Sequence, residues 1–177
     1  MTAFHALSLL LAHPELDDPN FRRSVVYLLE HDENGACGVV LNRPRMLDVA
    51  EHLELSCAVT PPSVFYEGGP VETNAVLALG SDGYSQPTLL DIDALKAGAV
   101  SAPPQMRFFV GYAGWSPGQL EAELSGESWF VLPLVRDPLG CDDVFGGDPE
   151  GLWRRVLRRQ RGPLSSLALY PDDLMAN

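Results

Sequence analysis

The chain has 177 residues, enough for one domain with a substantial core, and its 46% hydrophobic content excludes an intrinsically disordered chain. Twelve Lys and Arg stand against 24 Asp and Glu, a formal net charge of −12 that repels nucleic acid and anionic membranes at long range. No apolar stretch approaches the roughly 20 residues that span a bilayer, so no membrane segment and a cytoplasmic location are expected.

Ala6 to Ala12 has the look of a signal-peptide core, but no basic leader precedes it, and it reads as the first buried strand. Ser24 to His31 has the apolar, β-branched character of a strand, and Ala36 to Leu41 repeats it. Between them Asp32-Glu33-Asn34-Gly35 ends in Asn-Gly, a pair that tolerates positive φ and suits a tight reversal. Antiparallel pairing then brings the outer ends together, so Asp18-Pro19-Asn20 and Asn42-Arg43-Pro44 are predicted to share one surface. Asp48 is placed to cap a short helix with Val49, Leu53 and Leu55 on one side. Thr60-Pro61-Pro62 breaks the chain before a strand at Val64-Phe65-Tyr66, Gly68-Gly69-Pro70 forces a turn, and Val76 to Leu79 reads as a strand. From Ser81 to Pro104 the reading is surface loop, apart from a helical piece capped by Asp91 and running through Ala97. Arg107 to Tyr112 is a buried strand by composition. Pro117 to Leu124 is a short helix with Pro in its first turn, and Trp129 to Leu134 a further strand. For the last helix, Asp148 is the expected N-cap, with Pro149 in the first turn and Glu150 favouring the positive end of the helix dipole. Leu152, Trp153, Val156 and Leu157 form its apolar stripe, opposite Arg154, Arg155, Arg158, Arg159 and Arg161.

Several patterns invite chemical readings that physical arguments weaken. Gly114-Trp115-Ser116-Pro117-Gly118 matches the nucleophile elbow Gly-x-Ser-x-Gly. The residue after that nucleophile must donate its backbone N–H to the oxyanion hole, and Pro117 has none. His13, His31 and His52 show no His-x-x-x-His or Glu-x-x-His spacing, and no metal site is expected. Cys37, Cys57 and Cys141 are odd in number and widely spaced, which argues against a disulfide framework and for a reducing compartment. Gly68-Gly69 and Gly111-x-x-Gly114 lack the Gly-Lys-Ser/Thr end of a phosphate loop, and Gly68-Gly69 after its strand reads as a turn that needs positive φ. The five-Arg stripe is the one candidate nucleic-acid footprint; a solvated helix face suits it better in so acidic a chain.

Three segments in this order carry a family resemblance: Leu11 to Pro44, Phe65-Tyr66-Glu67-Gly68-Gly69-Pro70-Val71, and Phe109 to Glu121 through Gly111-Tyr112-Ala113-Gly114-Trp115. Over almost its whole length the chain resembles the bacterial YqgE/AlgH family, whose members bear the label of transcriptional regulators. Cys37 departs from the family pattern, which more often has an aliphatic residue there. The resemblance implies one α+β domain over residues 1–177. Its sheet is expected to be bifurcated, largely antiparallel and curled into a partial barrel, with short helices on its flanks.

The family motifs single out Asp18, Asn20, Arg22, Asn42, Arg43, Glu67, Trp115, Gln119 and Glu121, polar or amphipathic groups on strand ends and turns. As structural groups they would cap turns and tie loops, with Arg43 paired to Glu67 or Glu121. As functional groups they would line a groove with Trp115 as its apolar wall and Arg43 or Asn42 as polar anchors. The expected function is a non-catalytic binding or regulatory domain that works through a protein or small-molecule partner, without cofactor or metal. One alternative is a hydrolase using Asp18 and Glu121 with His13 or His31. Another is direct DNA recognition by the Arg-bearing helix, although no helix-turn-helix pair leads into it.

Overall fold

The computed structural model describes residues 4–137 and 142–171. The expected hairpin is formed by β2 (Val25–Asp32) and β3 (Gly35–Val40), with Asp32 opposite Gly35 and Glu33-Asn34 as the connection. The Asn34 N–H donates to Asp32 Oδ1 at 2.7 Å, locking the reversal. β1 (Leu9–Ala12) pairs with β2 on one edge and with β9 (Trp129–Leu132) on the other. Leu9 and Leu11 enter one core cluster while Leu10 and Ala12 enter another. This strand is buried on both faces, which is why its sequence is a continuous apolar run.

The centre of the sheet is β8 (Gln105–Trp115), which pairs in parallel with β5 (Val64–Glu67) and antiparallel with β6 (Val71–Ser81). Both partners pair with Phe108, Phe109 and Val110, so they lie on opposite edges of β8. The chain therefore crosses the backbone of β8 within Gly68-Gly69-Pro70. A Cβ on Gly68 would overlap the Gly111 carbonyl, and one on Gly69 would overlap that of Tyr112. Gly69 and Gly111 also have φ of +152° and +71°. Gly68 links three strands at this point: its N–H donates to Val110 at 2.9 Å and its carbonyl accepts from Val40 at 2.8 Å. Past the crossing, β8 pairs with β3 through Ala113, Gly114 and Trp115. The sheet thus runs β4-β5-β8-β3-β2-β1-β9, with β6 and the two-residue β7 (Thr88–Leu89) branching from β8. It is the split, mostly antiparallel half-barrel of an α+β domain.

Helices cover the faces. α3 (Gln119–Ser125) lays Leu120 against the cluster of Leu10, Val26, Leu28 and Trp115. α4 (Leu152–Arg158) lays Leu152, Trp153, Val156 and Leu157 against Leu9, Leu11, Tyr27 and Phe109. The predicted apolar stripe is thus the buried face of this helix. The caps are as expected at two short helices. Asp48 accepts from Ala50 and Glu51 ahead of α1 (Val49–His52), and Asp91 accepts from Ala94 ahead of α2 (Ile92–Lys96).

Other boundaries differ from the reading of the sequence. β1 begins only at Leu9, after a turn in which Leu7 takes φ +63°. β4 (Pro44–Asp48) was not foreseen; its mixed Pro-Arg-Met-Leu-Asp composition suits an edge strand, where Pro at the first position removes no ladder bond. β6 starts five residues early at Val71 because a bulge before Val76 hides its period. β9 stops at Leu132, before Pro133. α4 starts at Leu152, and Asp148 instead accepts from the Gly151 N–H at 3.0 Å in the turn before it. Beyond the helix predicted last in the sequence, the chain adds α5 (Pro163–Ser166) and a 3₁₀ segment at Leu167–Leu169.

Gly69→Ala is expected to destabilise the fold by at least about 2 kcal/mol in urea titrations, since the new methyl meets backbone that cannot yield. Gly147→Ala, where a Cβ meets nothing within 4 Å, is the control and should change stability by less than about 0.5 kcal/mol.

Candidate functional site

Six of the nine motif residues gather at the base of the hairpin. Asn42, just beyond β3, accepts the Val25 N–H on Oδ1 at 2.9 Å and donates from Nδ2 to the Arg23 carbonyl at 2.9 Å. Both ends of its amide thus clamp the entry to β2. Asp18 closes an Asx turn by accepting from the Asn20 N–H at 2.8 Å, and its carbonyl receives the N–H of Phe21 and of Arg22. Arg43 donates to the Arg22 carbonyl at 3.2 Å, so the two flanks of the hairpin do meet. Burial pushes the Arg43 guanidinium below its ordinary value, opposed by the charges of Glu67 and Asp18. Glu67 receives no direct bond from Arg43; its N–H donates to the Arg43 carbonyl at 2.8 Å, and its carboxylate lies 4.0 Å from Arg45.

Trp115, Gln119 and Glu121 belong to a second cluster, where β8 turns into α3. Trp115 lies opposite Ala36, beside the hairpin turn, whereas Asn42 and Arg43 follow the other end of β3. The residue is 5% exposed, and its ring is stacked on Phe21 at 5.9 Å and met edge-on by Trp129 at 5.9 Å. The organising group is Glu123. One of its oxygens accepts both indole N–H groups, from Trp115 at 2.9 Å and Trp129 at 2.8 Å, and the other accepts from Gln119 at 2.9 Å. Gln119 in turn accepts from the N–H and the hydroxyl of Ser116, each at 3.1 Å. Phe21, from the loop carrying Asp18 and Arg22, links this cluster to the hairpin base.

Glu121 meets His31 rather than Arg43, with its Oε1 3.2 Å from Nε2 of an imidazole whose side chain is fully buried. The His5 N–H donates to His31 Nδ1 at 3.0 Å. Nδ1 is therefore the bare nitrogen and Nε2 carries the proton that Glu121 receives. Its own backbone N–H, and after that His31, hold the Glu121 carboxyl below its ordinary value against partial burial.

These bonds decide what the clusters can do. A general base needs a nitrogen or oxygen facing an approachable reactant, and both nitrogens of His31 are already engaged inside the protein. Asp18 sits in its turn at the hairpin base, and His13 accepts from the Glu15 N–H at 3.2 Å, so the proposed hydrolytic set is not assembled as one site. Among the described residues no group of three or more His, Cys, Asp or Glu is arranged to hold a metal, and no helix is long and apolar enough to cross a membrane. Cys37 and Cys57 are free thiols, with burial and then Glu30 raising that of Cys37. Cys141 lies outside the described residues. In the basic stripe, Arg159 grips both oxygens of Asp143 at 2.6 and 2.7 Å, Arg155 holds the Asp148 carbonyl at 2.9 Å, and Arg154 reaches the Tyr170 carbonyl at 3.2 Å. Glu123 left no trace in the sequence beyond its i, i+4 spacing from Gln119, because the two Trp partners come from separate strands.

A family model described as AlgH-like matches residues 9–165. A UPF0301 protein of Streptomyces coelicolor is 45% identical, the match covering 96% of this chain and 93% of that protein. A UPF0301 protein of Thermobifida fusca is 44% identical over 96% and 94% of the two chains. Among solved structures, a crystal structure of a Corynebacterium diphtheriae protein superposes with a TM-score of 0.82 at 26% identity, covering 94% and 93%. The solution structure of the AlgH protein of Pseudomonas aeruginosa superposes with a TM-score of 0.68 at 32% identity, covering 98% and 97%.

Replacing Glu123 by Leu keeps a side chain of similar size but removes the acceptor of three donors. The expected loss is about 2–4 kcal/mol in denaturant unfolding, with a red shift of tryptophan emission as the indoles lose their partner. Because the Glu121 carboxyl is depressed in the fold, its contribution is present above its ordinary value of 4.5 and fades as pH falls below it. Glu121→Gln should flatten that acid limb in melts between about pH 3 and 6.

Proposed function

The chain belongs to the AlgH-like family, and we propose that it is a non-catalytic binding or regulatory domain acting through a protein or small-molecule partner. The observation that supports this reading is the state of its motif side chains. Asn42, Gln119 and Glu121 are spent on bonds that hold the fold, as are His31 and Glu123 beside them. Catalysis needs acid–base groups with an open face, whereas recognition needs only a shaped surface held still. The surface so held is the base of the hairpin, where Asn20, Arg43 and Glu67 stand on a loop and two strand ends pinned by Asn42 and Asp18. It would act in the cytoplasm, a placement in keeping with the free thiols of Cys37 and Cys57.

Direct DNA recognition is disfavoured by the same kind of accounting. Of the five arginines in and just beyond α4, Arg154, Arg155 and Arg159 are engaged within the chain, which leaves Arg158 and Arg161 on the exposed side. Two cations neutralise too few phosphates to hold a duplex at physiological salt, against a net charge of −12. Any influence on transcription then runs through the partner.

The Asn20→Ala, Arg43→Ala double variant should keep a native circular dichroism spectrum and lose partner capture, with affinity falling about tenfold or more. Retention of every partner that the wild type captures would refute the assignment of this surface. In electrophoretic shifts at about 150 mM salt no specific duplex should bind, and weak binding below about 50 mM should vanish as salt rises. Specific binding at the higher salt that Arg158→Glu with Arg161→Glu abolishes would establish the DNA reading instead.

A further inference from the structure

A strand at the edge of a sheet exposes unpaired backbone groups, and native proteins shield such edges with Pro, charge, bulges or brevity. β4 begins at Pro44, carries Arg45 and Asp48, and slips register between Pro44 and Asp48. β7 has two residues. β9 is four residues long but lacks the other protections: Trp129-Phe130-Val131-Leu132 is apolar throughout, with no charge, no Pro and no bulge.

The ladder determines where its backbone points. The His13 N–H donates to the Ser128 carbonyl at 2.9 Å, and the Ala12 N–H donates to the Ser24 carbonyl at 3.0 Å. Leu9, Leu11 and His13 therefore turn their backbone groups toward β9, while Leu10 and Ala12 turn theirs toward β2. By alternation, Phe130 and Leu132 bond to β1, and Trp129 and Val131 aim N–H and C=O away from the sheet. Among the described residues β9 has no second strand neighbour.

The surroundings of this edge suit an incoming strand. A hollow of about 410 Å³ runs along it, walled by Leu124 of α3 and Leu164 of α5. Those two leucines belong to the clusters on opposite faces of the sheet, Leu124 to the one that takes Val131 and Leu164 to the one that takes Phe130. A strand laid beside β9 would thus find apolar wall above and below. At the Trp129 end Glu127 also borders an adjoining hollow that holds Glu15 and Asp17. The trough is mainly apolar, with His5 also in its lining, and acidic at the Glu127 end.

We propose that β9 is a docking strand for an extended segment of a partner protein, which adds to the sheet by backbone bonds to Trp129 and Val131. The segment is a short apolar run with a basic residue at the end that meets Glu127, Glu15 and Asp17. Pairing with a second copy is disfavoured by the net charge of −12 on each chain. This site is separate from the hairpin base and stands whether or not that surface binds anything.

The test uses the whole chain and two fluorescein-labelled probes, Lys-Arg-Val-Ile-Val-Ser and Glu-Glu-Val-Ile-Val-Ser. By fluorescence anisotropy the basic probe should bind in the tens of micromolar and the acidic one about tenfold more weakly. In amide exchange read by NMR, Trp129 and Val131 should exchange quickly in the free protein and slow about tenfold or more with the basic probe, while Phe130 and Leu132 stay slow throughout. Val131→Pro removes an N–H outside the native ladder and should abolish binding with the fold intact. Should that variant fail to fold, Glu127→Lys, which takes the acidic end from three carboxylates to two and a cation, must narrow the preference between the probes severalfold. The proposal is overturned by no binding of the basic probe at about 1 mM, by unchanged binding in folded Val131→Pro, or by an unchanged preference in Glu127→Lys. It is equally overturned if the Trp129 and Val131 amides are already protected without probe in a concentration-dependent dimer, which would make the occupant a second copy.

Discussion

The passage of one chain segment across another is the constraint on which this architecture rests. β5 and β6 flank the same three residues of β8 from opposite edges, and only Gly68-Gly69-Pro70 separates them. Backbone must lie directly on backbone there, and side chains on Gly68, Gly69 or Gly111 would occupy the same space as a carbonyl. The crossing is also where β3 is tied in, through the Val40–Gly68–Val110 chain of hydrogen bonds. The hairpin base inherits its position from it, because Glu67 immediately precedes the crossing and its N–H is bonded to the Arg43 carbonyl.

Buried charge holds the other half of the molecule together. Arg107, 2% exposed, donates to the carbonyls of Val144, Pro61 and Gly146 and lies 4.5 Å over the Tyr66 ring. Burial drives its pKa down. Arg136 bonds Asp142 at 2.7 Å, Gln105 at 2.7 Å and the Ser85 carbonyl at 2.8 Å, while the other Asp142 oxygen accepts from Val144 and Phe145. Asp143, also buried, receives Arg159 from α4 and the Val135 N–H. Ions removed from water persist only when such partners surround them, and losing one partner leaves the other uncompensated. In a chain with twice as many acids as bases, much of the scarce arginine is consumed inside. This explains why a helix that reads as a basic face carries little free positive charge.

The contrast between spent side chains and open backbone organises the functional reading. Motif residues that look catalytic in a sequence become, on folding, acceptors and donors that saturate one another. His31 and Glu121 illustrate this: the pair is a plausible acid–base dyad by type and distance, yet the His5 N–H occupies the remaining nitrogen. The edge of β9 is the reverse, ordinary in its residues and, among the described residues, without a second strand beside it.

Much was legible in local sequence because the physics behind it is local. Asn34-Gly35 marks a reversal that four neighbouring residues can make alone, and Asp48 and Asp91 cap helices through N–H groups two or three residues on. The glycines announced a backbone need, and the apolar stripe of the last helix announced a buried face. Only the tertiary structure decided the rest, since each answer depends on groups far apart in the chain. It gave Glu123 its two indoles, gave Arg159 its Asp143 and left the outer groups of Trp129 and Val131 without a strand neighbour among the described residues. It also turned Trp115 from a candidate groove wall into a packed ring. A side chain's type sets what it can bond, but whether that capacity is spent within the fold or left for a partner depends on which strands and helices are brought beside it.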